Sequence, residues 1–354
     1  MIKKILIKIS VLLDIIKGFI ISVGLKLLIV LFICVIIHNV LKMTEISTKY
    51  SGKYKNLVPV YQSKMVNIYS EGYGDKTIVI LPGFGSQSPI MQYKTLIDSL
   101  KDEYRVIVVE YFGYGYSMGI SKERTNENIV YEIKTALDFL EIPNKYILMP
   151  HSISNMYAMY FSLAYPESVE AIISIDGLYP SEIKDEYYKI KMNDTVKNIN
   201  FTSIVEYSGF ARALSYLKPE IFYIDKMQEK NSIYTKDDIK VYRNRIGSSY
   251  LTRTMVREIK MAKQNMEQLK DFKYNDTLPV LQILSSDTVK EYSDVKKNGD
   301  SKVDLNDLSQ NIITNPDIQK TVTINGDHML QLSNTEELTK IILEFLTSID
   351  LNIQ

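Results

Sequence analysis

The stretch Pro150-His151-Ser152-Ile153-Ser154-Asn155 decides the fold of this 354-residue chain. It joins an apolar run, Tyr146 to Met149, that is typical of a buried strand to Met156 to Ala164, which has the pattern of a helix. A serine on such a sharp corner has its hydroxyl pushed out of the fold, and the next backbone N–H groups point toward the same space. The corner therefore predicts a place where Ser152 can attack a carbonyl group.

The rest of the chain alternates between apolar runs and amphipathic segments, which predicts an α/β fold with a mostly parallel sheet and helices on both faces. The predicted strands are Lys64–Ser70, Thr77–Leu81, Tyr104–Tyr111, Tyr146–Met149, Ala171–Ile175, Pro279–Leu284 and Thr321–Ile324. The predicted helices are Met91–Leu100, Asn126–Leu140, Met156–Ala164 and Thr335–Ile349. The alternation breaks between about residues 180 and 274, where a helical insertion is expected.

Five segments follow from this pattern. Residues 1–42 are expected to form an N-terminal membrane anchor, and residues 43–58 a polar tether. The α/β core then occupies residues 59–179 and 276–354, on either side of a helical insertion at residues 180–275.

The N-terminal segment has the length and composition of a transmembrane helix. Gly18 to Ile37 carries one charge, Lys26, and twenty residues at about 1.5 Å each span a hydrocarbon core of about 30 Å. The preceding lysines (Lys3, Lys4, Lys8 and Lys17) predict a cytoplasmic N-terminus, a single pass through the cell membrane and a catalytic domain outside. A cleaved signal peptide and a buried core helix are the alternatives, but no small-residue cleavage site follows the run.

Composition argues against several classes of function. Lys+Arg and Asp+Glu both number 42, so the basic excess of a nucleic-acid-binding protein is missing. Cys34 is the only cysteine, and no His/carboxylate cluster has the spacing of metal ligands, so we expect neither a metal nor another cofactor. The segment 113–118 begins like a dinucleotide-binding loop, but Gly119 comes one place late and no helix follows directly.

An acid and a histidine follow later strands, at the edge where the carboxyl ends of parallel strands meet. Asp287 comes shortly after one predicted strand, and His328 after the last. Of the three histidines, His38 belongs to the membrane segment and His151 adjoins Ser152 in a tight turn. We therefore expect His328 to be the general base that takes the proton from the serine hydroxyl.

The carboxylate that orients this histidine is expected to be Asp287, which would fix the imidazole tautomer and stabilise the imidazolium. Asp176 is the main alternative because it also ends a strand, and Asp294 and Asp327 are weaker alternatives. Asp287 is favoured because the acid follows the insertion in most such layouts.

Two backbone N–H groups are expected to stabilise the oxyanion that forms on attack. Ile153 follows the nucleophile directly, and Phe84 lies in the glycine loop after the Thr77–Leu81 strand. Gly83 and Gly85 allow that loop to come close to a substrate.

These motifs together resemble the α/β-hydrolase superfamily, in its serine-hydrolase branch. The similar segments are Leu81-Pro82-Gly83-Phe84-Gly85, the Ser152 corner, Ser285-Ser286-Asp287, Gly326-Asp327-His328 and the loop Glu110-Tyr111-Phe112-Gly113-Tyr114-Gly115-Tyr116-Ser117. The resemblance covers about residues 58–349 apart from the insertion, and it implies a lid there and the triad Ser152, Asp287 and His328. The usual Gly-x-Ser-x-Gly corner reads Pro150-His151-Ser152-Ile153-Ser154 here, so both glycines are replaced.

These features predict a membrane-anchored serine hydrolase that cleaves a carboxylic ester, thioester or amide through an acyl-enzyme on Ser152. Its expected partners are a small-molecule or lipid-like acyl substrate and the membrane, with no nucleic acid. An aminopeptidase or an acyltransferase on the same scaffold is one alternative. A membrane-tethered binding module without turnover is another.

Overall fold

The computed structural model describes residues 2–45, 51–143 and 145–351. An eight-stranded sheet lies at its centre, with the strand order β1-β2-β4-β3-β5-β6-β7-β8. The strands are β1 (Leu57–Tyr61), β2 (Lys64–Glu71), β3 (Thr77–Leu81), β4 (Arg105–Glu110), β5 (Tyr146–Pro150), β6 (Val169–Ile175), β7 (Val280–Ser285) and β8 (Gln319–Ile324). The β1–β2 and β2–β4 pairs are antiparallel and the other neighbours are parallel, so the predicted mostly parallel sheet is confirmed.

Helices fill most of the sequence between the strands. They are α1 (Ile2–Glu45), α2 (Ser51–Tyr54), α3 (Pro89–Gln92), α4 (Lys94–Leu100), α5 (Asn126–Phe139), α6 (Ser154–Ala164), α7 (Glu186–Ser208), α8 (Phe210–Leu217), α9 (Ile224–Glu229), α10 (Lys236–Ser249), α11 (Arg253–Leu269), α12 (Ser286–Lys297), α13 (Leu305–Asn311), α14 (Leu330–Ser333) and α15 (Thr335–Leu351). The predicted helix Met91–Leu100 is divided into α3 and α4 at Tyr93, which has non-helical backbone angles.

The central strands are buried on both faces, because helices cover the sheet from both sides. Every residue of β3 and of β5 is buried. On one face Val79 and Leu148 pack with apolar residues of α5, α6 and α11. On the other face Ile80 and Met149 pack with residues of α4 and α15. This packing fixes the carboxyl ends of β3 and β5 side by side.

The segment between β6 and β7 is helical in the described part of the chain, as α7 to α11. In α11 the side chains of Met255, Ile259, Ala262 and Met266 are buried, and their spacing places them on one face of the helix. That face anchors the insertion to the core cluster that includes α6. The limits 180–275 stay a prediction. The predicted tether, residues 43–58, overlaps two elements of the structure: α1 continues to Glu45, and β1 begins at Leu57. Residues 46–50 of the tether lie outside the described residues.

The long N-terminal helix α1 contains the apolar segment Lys17–Met43, whose most apolar part has a mean hydropathy of 3.1 and no buried side chain. A helix of this length and composition is common to membrane anchors and to signal sequences. Near its end, His38 is buried beside Gly209 and Arg212 of the insertion. The C-terminal part of α1 therefore contacts the helical insertion.

Candidate active site

Ser152 occupies a strained corner between β5 and α6. Its φ angle is 56°, in the left-handed region that side chains other than glycine rarely adopt. The corner is tied to the neighbouring strands, because Ser152 N–H donates to the Ile175 carbonyl (3.1 Å) and His151 N–H donates to the Leu81 carbonyl (2.9 Å). Strain of this kind persists only where the surroundings hold it, and it is common at functional sites.

The replaced glycine at position 154 gives the corner an additional bond. The Ser154 hydroxyl donates to the Pro82 carbonyl at 2.5 Å and accepts from the Tyr111 hydroxyl at 2.8 Å. The glycine loop thereby lies against the corner, so closely that a Cβ on Gly83 would stand 2.7 Å from the ring of His151. This contact explains why a glycine is needed at position 83.

His328 lies beside this corner, in the loop after β8, and its Nδ1 atom is 2.6 Å from a carboxylate oxygen of Asp176. The Asp176 side chain is 1% exposed, whereas that of His328 is 46% exposed. A buried carboxylate on Nδ1 fixes the tautomer that leaves Nε2 free to accept a proton. The pair therefore has the arrangement of a general base and its orienting acid.

Asp287 does not contact His328, and the sequence-based choice of the acid is corrected here. Asp287 is exposed in the first turn of α12, where its backbone N–H donates to the Gly326 carbonyl at 3.2 Å. The residues around it serve Asp176 instead. Ser285 donates to the Asp176 carboxylate through its N–H (2.8 Å) and its hydroxyl (3.0 Å), and the Thr288 hydroxyl donates at 2.6 Å.

The weaker candidates are engaged elsewhere. Asp327 pairs with Lys226 at 2.7 Å and accepts from the Met329 N–H at 2.9 Å. Asp294 lies 3.6 Å from Lys297 on the surface of α12. Neither carboxylate competes with Asp176 for the imidazole.

Electrostatics keep this acid ionised and the second histidine neutral. Burial alone would raise the pKa of Asp176, but the hydrogen bond and charge of His328 and the donors Ser285 and Thr288 hold the pKa below its ordinary value. Burial, followed by repulsion from His328, lowers the pKa of His151 to about 3. The neutral His151 ring donates from Nε2 to the His328 carbonyl, 2.8 Å away, and so helps to position the histidine loop.

Ser152 and His328 both line two cavities. The first, of about 240 Å³, is rich in aromatic side chains and contains Phe84, Phe222, Tyr223, Tyr242 and Tyr250. The second, of about 450 Å³, has a mixed lining that includes Asp176, Glu182, Tyr188, Lys191, Met192 and Glu291. A larger cavity of about 800 Å³ along α15 contacts neither residue, so volume alone does not locate the site.

The predicted oxyanion donors lie near this junction. Phe84 lines the first cavity with Ser152, and Ile153 follows the serine in the chain. Within the described residues, the backbone N–H groups of Phe84 and Ile153 have no hydrogen-bond partner, and the Ser152 hydroxyl has none either. Catalytic hydrogen bonds commonly tighten only when substrate is bound, so an open serine is compatible with a working site.

Three residues around the site were missed from the sequence: Ser154, Ser285 and Thr288. The signal for Ser154 was the departure from glycine at a position where only a small residue fits. Ser285 and Thr288 follow a buried strand at cap spacing, and the Ser285 hydroxyl does accept from the Thr288 N–H at 3.1 Å. Nothing in the sequence indicated that the same hydroxyl also donates to Asp176. Among the described residues no His, Cys, Asp and Glu side chains gather into a metal-binding group.

The architecture and the site define an α/β protein with a serine corner and a histidine–aspartate pair at the carboxyl edge of the sheet. The sequence model of a family described as the alpha/beta hydrolase fold matches residues 76–195. The chain therefore has the α/β-hydrolase fold.

Relatives and solved structures agree with this assignment. A Bacillus subtilis protein designated YbdG is 27% identical over 302 residues, which cover 84% of this chain and 87% of that protein. An esterase from Thermogutta terrifontis superposes with a TM-score of 0.55 at 16% identity, over 83% of this chain and 98% of that one. The epoxide hydrolase VrEH1 from Vigna radiata superposes with a TM-score of 0.59 at 17% identity, over 83% of this chain and 99% of that one. At these identities the two structures support the fold alone.

Proposed function

We propose that this protein is a membrane-anchored serine hydrolase that cleaves a carboxylic ester, thioester or amide. The Ser152 hydroxyl attacks the carbonyl carbon while Nε2 of His328 takes its proton, and Asp176 stabilises the imidazolium. The N–H groups of Phe84 and Ile153 stabilise the oxyanion. The imidazolium then protonates the leaving group, and a water deprotonated by His328 releases the acid from the serine.

One observation carries this proposal above the others. A left-handed serine faces the cavities that are also lined by a histidine whose Nδ1 rests on a buried carboxylate. A binding module has no need to hold a serine at φ 56° or to bury an aspartate beneath a histidine. We therefore favour an enzyme over the non-catalytic alternative.

The cavity lining favours an ester over a peptide. An aminopeptidase needs an ionised carboxylate that is free to bind the substrate ammonium. Burial raises the pKa of Glu182 to about 7, and Glu291 is already paired with Lys191 at 3.0 Å. The aromatic cavity and the larger mixed cavity would then receive the two sides of the scissile bond, one for the acyl part and one for the leaving group.

A fluorophosphonate probe applied to membranes that contain the full chain tests the nucleophile. Wild type and Ser162→Ala, a serine on α6 whose hydroxyl donates to Met159, should label equally, and Ser152→Ala should not label. Labelling that survives Ser152→Ala, or no labelling of the wild type, would reject the serine mechanism. Esters of graded chain length and aminoacyl arylamides then separate the esterase from the peptidase.

Anchoring by α1 is tested separately by adding protease to intact cells. The lysines before the span predict that the catalytic domain is digested from outside, while the N-terminal segment stays attached to the membrane. A domain that is protected until the cells are lysed would reverse the proposed topology. A mature chain whose mass lacks residues 1–45 would replace the anchor with a cleaved signal.

A further inference from the structure

A third cavity, of about 430 Å³, lies away from Ser152, between the loop after β4 and the helices of the insertion. The described residues that line it include four cationic side chains, Lys42, Lys55, Arg245 and Arg253, and no acidic one. The proposed mechanism uses none of these residues. A cationic cavity of this size is suited to an anion rather than to an acyl chain.

Arg245 is the most informative residue of this cavity, because its side chain is buried and incompletely bonded. It is 8% exposed, its guanidinium stacks on Tyr116 at 4.5 Å, and Nη1 donates to the Gly115 carbonyl at 3.3 Å. Its buried Nε has no partner among the described residues. A guanidinium with an unsatisfied donor gains most from an oxyanion that accepts two of its N–H groups.

Glu110 does not satisfy that requirement, because no hydrogen bond or ion pair joins it to Arg245 within the described residues. Glu110 is close enough for its charge to interact with Arg245, but its Oε2 atom accepts from the Tyr116 N–H (2.6 Å) and from Asn67 (3.1 Å), and its buried Oε1 atom has no hydrogen-bond partner among the described residues. Burial raises the pKa of Glu110 to about 7, so this carboxyl is partly protonated at neutral pH. No carboxylate in the described part of the chain lies within ion-pair distance of Arg245.

The start of α11 adds a second source of positive potential. This helix of 17 residues begins at the cavity, where Thr252, Arg253 and Thr254 belong to the lining. Its first turn has no acidic residue. The Thr252 hydroxyl accepts from the Met255 N–H at 3.3 Å, so the main contribution of α11 is the positive end of its helix dipole, which favours phosphate and other oxyanions.

The position of the cavity points to the source of the anion. Lys42 lies at the end of the apolar segment Lys17–Met43, so the cavity opens where that helix would leave a bilayer. We propose that the cavity binds the phosphate group of a membrane phospholipid headgroup, an inference that rests on the proposed membrane anchoring. Arg245, the α11 N-terminus and Lys55 hold the phosphate oxygens, and the lipid orients the hydrolase domain on the membrane surface.

The test uses the full chain in a neutral detergent and follows its thermal unfolding as ligand is added. The probes are dihexanoylphosphatidylglycerol, dihexanoylglycerol without the phosphate, and inorganic phosphate. We expect saturable stabilisation by the phospholipid, none by the diacylglycerol, and stabilisation by inorganic phosphate only at much higher concentration. Lys55→Gln should weaken phospholipid binding about fivefold, as expected for one lysine near an anionic surface. Lys53→Gln is the matched control, because it removes an exposed lysine two residues away that does not line the cavity.

Equal binding by the Lys55 and Lys53 variants, or equal stabilisation by the diacylglycerol, would overturn the site. Inorganic phosphate that binds as tightly as the phospholipid would uphold the phosphate chemistry and overturn the lipid source. Arg245→Gln should abolish binding if the variant folds, and the Lys55 comparison decides the matter if it does not. Fluorophosphonate labelling of Ser152 should persist in the Lys55 variant, so failure of this site is distinguishable from failure of the proposed enzyme.

Discussion

The ends of β6 and β7 lie side by side in the sheet, and each is followed closely by an aspartate, but only one of the two carboxylates contacts His328. Asp176 follows β6 directly, is 3% exposed and has a φ of 42°. Asp287 lies two residues beyond β7, in the first turn of α12, and is exposed. The two strands pair in parallel, so both acids begin from the same edge of the sheet.

The difference shows what marks the acid of such a site. Asp287 has a local explanation, because an acidic residue in the first turn of a helix stabilises the helix dipole. The position of Asp176 has no such local explanation. A left-handed, buried aspartate beneath a histidine is costly unless hydrogen-bond donors surround its carboxylate. The donor Ser285 is the last residue of β7, and the donor Thr288 lies in the first turn of α12, which follows it. One strand end thus carries the acid, and its neighbour supplies the groups that keep it ionised.

The largest expected effect is on kcat, and it is tested by substituting each of the two aspartates in turn. Asp176→Asn should lower kcat about 10⁴-fold, because the amide donates to Nδ1 and holds the imidazole in the wrong tautomer. Asp287→Asn is the matched control and should leave kcat within about twofold, because an exposed residue away from the imidazole does not affect its tautomer. Hydrolysis of the best ester of the panel provides the measurement. A loss that follows Asp287 instead of Asp176 would restore the sequence-based choice of acid.

The next effect concerns stability and compares two buried carboxyl groups that follow β6. The pKa of Asp176 is held low, whereas burial raises the pKa of Glu182 from 4.5 to about 7. Between pH 4.5 and about pH 7, Glu182 has lost its proton in the unfolded chain and keeps it in the folded chain, so the free energy of unfolding decreases as the pH rises. A pKa displaced from 4.5 to about 7 corresponds to roughly 3 kcal/mol of destabilisation above pH 7.

Glu182→Gln should remove this dependence. Its amide oxygen can still accept from the Tyr179 N–H, which lies 3.1 Å from the carboxylate in the wild type. Urea unfolding of the full chain in detergent at pH 5 and pH 8 should then show a variant that is the more stable protein at pH 8. Glu267→Gln removes an exposed carboxylate on α11 that pairs with Lys270 and is not among the groups that shift the pKa of Glu182, so it should leave the pH slope as it is in the wild type. Identical slopes in wild type and Glu182→Gln would show that Glu182 is ionised when buried.

The same comparison explains how far the sequence determines fold and site. The strands β3, β4, β5 and β7 are mostly apolar and buried, and such segments alternating with amphipathic helices predict a parallel sheet without knowledge of contacts. The position of the proposed nucleophile, Ser152, follows from the same pattern, because a strand and a helix meet at this serine. The partner of His328 was not predictable, since two strand ends carry aspartates and only burial distinguishes them. The bond from Ser154 to Pro82 was equally unpredictable, because it joins residues 72 positions apart.

The smallest effect tests whether the end of β7 acts on the acid or only begins a helix. Ser285→Ala removes a hydroxyl that caps α12 and donates to Asp176 at 3.0 Å. One hydrogen bond to a charged group is worth about 1.5 kcal/mol or more, so kcat should fall about tenfold while KM stays unchanged. Loss of the cap alone should lower the free energy of unfolding by about 1 kcal/mol.

Asp304→Ala separates the two roles of that hydroxyl, because Asp304 caps α13 in the same manner and does not contact Asp176. It should lower stability by about 1 kcal/mol and leave kcat unchanged. Ser285→Thr keeps a hydroxyl that can cap and donate, and it should recover most of the lost rate. If Ser285→Ala lowers stability without changing kcat, the β7 end serves only the helix. The low pKa of Asp176 would then depend on His328, the Ser285 backbone N–H and Thr288, without the Ser285 hydroxyl.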